Sequence, residues 1–393
     1  MNIIYLVPEH IFHHHWFCRR LAEAGVRVLG IGDVSADHLQ RDMADSLQEY
    51  YQVDDMNDYD GIFRACGYFI HTYGRIDRVE SHSIRFLETE ARLRTDFNIT
   101  GEKNRRAVSL THYMELRRLL TNAGVSMPAA KLVRHPDHAR CFARKYGYPL
   151  VVRPNRICDT RPAVWIHTPG DLNAFLSEKP ETPHAVIKGV DGNLYSVDGL
   201  TGGDGAVLFF TAHFFGPRRF RTHVAAHGLR FHSLKTIPEE LRRHAAAVST
   251  LRLTKKFFHL RVVRTRDDRW LAVSAICAPP PGPIPDMINF ANEMDIFAGW
   301  AEVLKENRFS QIPSRNYCCG YAGRTLSDAY IRSHGDIMAR CGGHIMSHGP
   351  NHAALTDRFG RFGYVLNAAS PEQLEANLDF ILAADSASGD ATP

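Results

Sequence analysis

The sequence predicts a mixed α/β and α+β protein in successive parts, and three observations carry that expectation. The chain opens with an apolar strand, an amphipathic segment closed by Gly25 and a second apolar strand, which is the pattern of a parallel βαβ unit. A short middle stretch alternates brief strands with proline-started helices. From Ala185 the strands lengthen and lead to a hairpin at 256–263 and 270–277. Both arms are apolar, β-branched and aromatic, and the polar Arg266-Asp267-Asp268-Arg269 turn joins them.

The first part, 1–98, reads as an N-terminal α/β domain with strands at 2–7, 26–31, 50–53 and near Val79. Its helices are expected at 11–24, 35–44, 58–67 and 84–97. The glycines after the first strand do not form a dinucleotide fingerprint. A connecting helix, 105–123, fills the link 99–124 and is closed by Gly124. The small α+β unit, 125–184, contains helices at 136–146 and 169–177 and strands at 149–153 and 163–167. Pro136 suits a first helical turn because its missing N–H is one that no helix pairs there.

The large antiparallel part, 185–310, has strands at 185–190, 194–200, 206–215 and 230–236, a helix at 238–249, and then the hairpin. Pro279, Pro280 and Pro281 lack N–H groups and fix one dihedral each, so 278–285 leaves the sheet as a rigid segment before a helix at 290–305. An appendage, 311–385, follows with elements at 317–321, 329–339, 343–346 and 371–383, and the small polar tail 386–393 is expected to be disordered.

Of 393 residues, 44% are apolar and 23% charged, an ordinary composition for a soluble globular chain. A formal charge of +4 gives no bulk attraction for nucleic acid or an anionic membrane, and no run of about 18 apolar residues occurs. Short basic runs such as Arg218-Arg219-Phe220-Arg221 read as solvated faces. Eight cysteines lack the spacing of a disulfide framework or a metal finger, and the N-terminus lacks a secretory pattern. A reduced, cytoplasmic protein is expected. His10 and His13-His14-His15 invite a metal reading, but consecutive helical residues point about 100° apart. A histidine-rich helix surface is the expectation, and no metal ligand is assigned.

Several motifs occur in a definite order: RVESHSIRFLETEARLRTDFNITG at 78–101, AGVSMP at 123–128, GYPLVVRP at 147–154 and DGNLYSVDG at 191–199. TIPEELRR at 236–243, KKFFH at 255–259 and PPGPIPDMINFANEMDIFAGWAE at 280–302 follow. Together they resemble a bacterial group of ATP-grasp carboxylate–amine ligases over nearly the whole chain. The resemblance implies an ATP-grasp fold, with a pre-ATP-grasp domain, a lid subdomain and a large subdomain. For the family it implies ATP-dependent activation of a carboxylate as an acyl phosphate, which an amine attacks.

That chemistry needs cations on the phosphates, carboxylates holding Mg²⁺ and a Gly-rich lid. The resemblance places Tyr113 at one phosphate-lysine position and Arg153 at the other. The lid segment 155–162 contains no glycine, and the adenine-contacting hinge carries Lys188. The three metal-ligand positions fall on Arg261, Ala275 and Cys277, and a family arginine falls on Pro279. Asp267 and Asp268 sit at the far end of the hairpin, and the remainder of 257–285 has no acidic residue.

Arg153, Lys188 and Arg261 are therefore the residues of an altered nucleotide cleft. Arg78, Glu80, His213, His259, Asp286, Asn289 and Asn292 match the family's pattern around the acceptor pocket and are the candidate substrate contacts. Asn289 and Asn292 also suit helix caps or cross-links, and Glu80 suits a pair with Arg78. No catalytic residue is assigned. The expectation is a ligase homologue with an eroded Mg·ATP site that binds a small molecule, an amino-acid-like one being the example the resemblance suggests, or regulates. ATP-independent chemistry in the acceptor pocket is a variant of it.

An active ligase using ATP and Mg²⁺ through Arg153, Arg156 and Arg261 is the alternative. A nucleophilic Cys158 or Cys277 near His259 is a third reading, against which Cys277 also reads as a small core residue. A homodimer or a partner enzyme is suggested by the family alone.

Overall fold

The computed structural model describes residues 1–7, 13–159, 161–178, 182–218, 229–326 and 329–384. His10, the Arg219 to Arg221 run, Thr160 of the lid segment and the tail 386–393 lie outside them. Three sheets organise the described chain. The first is parallel and four-stranded, in the order Glu49–Gln52, Arg27–Gly32, Asn2–Leu6, Arg78–Glu80. The second is antiparallel, in the order Ala130–Val133, His184–Lys188, Leu150–Pro154, Val164–Ile166.

The third sheet has eight strands. It runs from the hairpin, Trp270–Ile276 and Phe257–Arg264, through Gly192–Thr201, Val207–Arg218 and Leu229–Ser233. It continues into Cys318–Arg324, Phe362–Ala368 and Ile345–Pro350. Strands of the C-terminal segment thus continue the large sheet. The strand Phe362–Ala368, unforeseen in the sequence, makes the join by pairing with both of its neighbours. The edge strand Ala130–Val133 was also unforeseen. It is short and only partly buried, which leaves a weak alternation signal.

Two expected helices are each two helices. The stretch 105–123 divides into Asn104–Thr111 and Tyr113–Asn122, with extended backbone at His112. Its N–H ladder is interrupted because the Tyr113 N–H donates to Asn155 O at 2.7 Å and the Met114 N–H to the Asn155 side chain at 3.1 Å. A tertiary partner thereby replaces the helix's own acceptors. The stretch 290–305 belongs to Ile284–Asn292 and Ile296–Glu306, separated by left-handed Glu293 (φ 51°) and capped by Asp295. Pro285 sits in the first turn of the former, so the rigid proline segment passes into a helix earlier than the sequence indicated.

The large sheet separates two apolar cores. On one face Leu200, Phe209 and Phe257 pack with Phe17, Ile288 and Trp300, joining the N-terminal helix His14–Glu23 to the two helices after the hairpin. On the other, Val197, Phe258 and Leu260 pack with the helix Glu239–Val248 and with Val151 and Ile187 of the small sheet. Gly199 permits this close approach, since a Cβ there would stand 2.4 Å from the Phe258 ring.

Candidate functional site

Strand register decides which hairpin side chains share a surface. Leu260 opposes Ala275, whereas His259 opposes Ile276 and Arg261 opposes Ser274. Successive strand residues point to opposite faces. Ala275 and Cys277 accordingly lie in the core facing the small sheet, with Leu260, Val262 and Tyr113. Arg261 is exposed and shares the other face with His259, across from Ser196. Grouping Arg261 with Ala275 and Cys277 in one cleft is corrected by this register.

Val151, Ala185 and Ile187 of the small sheet share one buried apolar cluster with Val197, Leu260 and Ala275 of the large sheet. The Arg153 guanidinium lies 5.1 Å from the centre of the Tyr113 ring, and burial lowers its pKa. The Lys188 ammonium donates to Tyr148 O at 2.8 Å, and burial lowers its pKa as well. In the lid segment, Arg156 meets Glu88 at 2.5 Å and Arg161 meets Asp159 at 2.6 Å. Cys158 is half-buried, and burial raises its pKa. Burial pushes the Cys277 thiol up to about 12, which argues against a thiolate nucleophile.

On the opposite face a buried polar cluster spans three strands. His213 Nδ1 donates to one Asp198 oxygen at 3.0 Å and His259 Nδ1 to the other at 2.5 Å. Ser196 donates to Asp198 at 2.6 Å. Asp198 and His213 are fully buried, and His213 Nε2 has no partner among the described residues. Burial alone would raise the Asp198 pKa, but His259 and His213 hold it well below the usual carboxylate range. Asp198 was missed in the sequence, although its alternation with Ser196 in a strand next to His213 was the available signal.

Arg78 and Glu80 meet at 2.8 Å in a buried network at the contact between the parallel and large sheets. Lys256 Nζ bridges Glu80 at 2.5 Å and Glu90 at 3.0 Å, and Arg94 adds a 2.7 Å pair with Glu90. Burial would raise the Glu80 pKa, yet Lys256, Arg94 and Arg78 keep it far below its usual value. Apart from Arg94 Nε, which is buried without a partner among the described residues, these groups pair with one another and tie the two sheets together.

A cleft of about 740 Å³ opens between the N-terminal helix, the helices after the hairpin and the C-terminal strands. Asp286 and Asn289 line it, while Asn292 is buried beneath and donates to Ile288 O at 2.8 Å. The Asn289 side chain accepts the Ile296 N–H at 2.7 Å, tying the two helices together. His13 and His14 are buried rather than on a helix surface, because each ring nitrogen finds a backbone carbonyl: Gly282 O at 3.1 Å and Val7 O at 3.1 Å. His13 Nε2 also stands 3.6 Å from Asp286.

No family model matches the chain. An 88-residue segment is 30% identical to the multifunctional protein URA2 of Saccharomyces cerevisiae, covering 22% of this chain and only 4% of that protein. The L-amino acid ligase from Bacillus licheniformis superposes with a TM-score of 0.73 at 14% identity, covering 98% of both chains. N5-carboxyaminoimidazole synthetase from Staphylococcus aureus gives 0.69 at 12% identity over 97% of both chains. Phosphoribosylglycinamide synthetase from Anaerococcus prevotii gives 0.68 at 11% identity, again over 97% of both.

The fold is ATP-grasp.

Within the ATP-grasp scaffold, the fit of Mg·ATP can be judged from the donor set. Mg²⁺ demands near-octahedral oxygen ligands at about 2.0–2.1 Å. Ala275 and Cys277 offer none, and Arg261 is a cation on the other face of the sheet. The side chains at these three positions do not fit the metal. No helix of the described residues is long and apolar enough to cross a membrane.

Proposed function

We propose that this chain is an ATP-grasp homologue that has become a small-molecule-binding or regulatory protein rather than an ATP-dependent ligase. The observation that carries the reading is one buried apolar cluster that holds Phe258, Leu260, Ala275 and Cys277 of the hairpin together with Val151 and Ile187 of the small sheet. A triphosphate and its metal there would have to displace buried methyl groups and aromatic rings, at about 25 cal/mol per Å² exposed. The place of action is taken to be the cytoplasm, with a homodimer or a partner enzyme as its assembly. Isothermal titration with Mg·ATP tests the reading. Binding weaker than about 1 mM is expected, and a Mg²⁺-dependent Kd near 1 μM or below would overturn it.

One observation favours a second reading. Arg153 has no carboxylate partner among the described residues and stands in the strand where the family places a phosphate-binding lysine. In an active ligase it would hold phosphate, and the chain would form an amide from an amino-acid-like carboxylate through an acyl phosphate. ADP release coupled to amide formation, abolished in Arg153→Ala, would establish that activity.

A further inference from the structure

The cleft beside Asp286 has a charge pattern that specifies what it accepts. Trp16, Phe290, Phe297 and Tyr317 give it aromatic walls, and Asp286, Glu293 and Asp295 give it carboxylates. Arg20 is the one lysine or arginine among the described lining residues, and it is committed: its Nε donates to Asp295 at 2.6 Å and its Nη1 to Glu23 at 2.5 Å. Asp295 is further engaged as a helix cap, accepting the Ala298 N–H at 2.9 Å. The two lining carboxylates with no lysine or arginine at salt-bridge distance among the described residues are Asp286, in the wall, and Glu293, at the rim.

Asp286 is half-buried, and burial raises its pKa against the opposing pull of His13. Its carboxylate is therefore short of positive charge. The remaining polar group of interest is Asn367, on the C-terminal wall. Its amide N–H donates to Phe290 O at 3.0 Å, while its buried Oδ1 receives no donor among the described residues. Because that oxygen is buried, it offers nothing to the cleft, and the complement is set by the negative wall and the aromatic faces: a cation carried on an apolar body. A carboxylate on the same ligand would find no uncommitted lysine or arginine among the described lining residues.

We infer that this cleft binds an organic primary amine lacking a free carboxylate, with its ammonium at Asp286 and its apolar body against the Trp16 and Phe297 rings. This names the ligand class for the binding role proposed above and rests on that reading. It also sets the site apart from one built for a zwitterionic amino acid.

The test uses the full chain and three probes of one shape: phenethylamine, 3-phenylpropionate and L-phenylalanine. Calorimetric titration and thermal shift are expected to show binding of phenethylamine and at least a tenfold weaker response to the other two. Asp286→Asn should weaken the amine at least tenfold. Glu293→Gln, an exposed rim change that leaves the core untouched, should weaken it severalfold, so that loss of fold in the first variant does not obscure the result. Equal binding of all three probes, no binding of phenethylamine, or unchanged affinity in both variants would overturn the inference. Repeating the titration with Mg·ATP separates the two proposals: tight nucleotide binding sinks the reading of the nucleotide cleft, whereas failure of the amine alone sinks only this one.

Discussion

The Arg153 guanidinium stacks over the Tyr113 ring, its central carbon 5.1 Å from the ring centre, at the two positions where the resemblance expects phosphate-binding lysines. A cation and an aromatic face now satisfy each other where two cations would have met an anion. The Tyr113 hydroxyl finds no partner among the described residues and is buried. Tyr113→Phe is therefore expected to stabilise the fold by about 1 kcal/mol, since it removes an unsatisfied buried group and leaves the stacking intact. Urea denaturation measures this, and a loss of stability would reveal a partner for the hydroxyl.

Asp198 holds two histidines and a serine in a site closed to water. Asp198→Asn keeps the shape but removes the charge and leaves one imidazole without an acceptor. The expected loss is about 3 kcal/mol, in the range for breaking a buried charged cluster. Equilibrium denaturation at neutral pH gives the value, and a change under 1 kcal/mol would show that the cluster contributes little.

Acid should destabilise the protein through Asp198 and Glu80. Both folded pKa values lie below the ordinary 3.8 and 4.5, so their contribution is complete above those values and is lost as pH falls below them. Thermal melts between pH 7 and pH 2 are expected to stay flat to about pH 5 and then to fall. In Asp198→Asn the fall should be shallower, because one of the two groups no longer takes up a proton on unfolding. An identical acid slope in the variant would refute the assignment.

Cys277 is buried, with its thiol pushed up to about 12, while Cys141 is exposed. Iodoacetamide at pH 8 on the native protein should alkylate Cys141 and spare Cys277. Peptide mass mapping checks the pattern. Rapid modification of Cys277 would restore the nucleophile reading.

Leu260 is 2% exposed and packs in the core between the sheets. Leu260→Ala is expected to cost 2–5 kcal/mol, or about 3, by leaving a cavity. If the sheets instead separate readily to admit a nucleotide, the cost measured by denaturation would fall below about 1 kcal/mol.

The sequence by itself determined the scaffold. The period-2 and period-3.6 patterns located most strands and helices, and the ordered motifs pointed to the ATP-grasp fold that the solved structures share. It also showed that the two hairpin strands carry no acidic residue, because composition along a strand needs no coordinates. The sequence did not disclose face and partner. A shift of one residue turns a side chain to the other side of a sheet, so only the register could separate Arg261 from Ala275 and Cys277. The break at His112 was hidden for a related reason, since its cause is an acceptor on Asn155, distant in the chain. The cleft at Asp286 belongs to tertiary structure as well. Its walls come from Trp16, Asp286 and Asn367, residues distant in the chain that packing alone brings together, and their joint charge exists only in the folded chain.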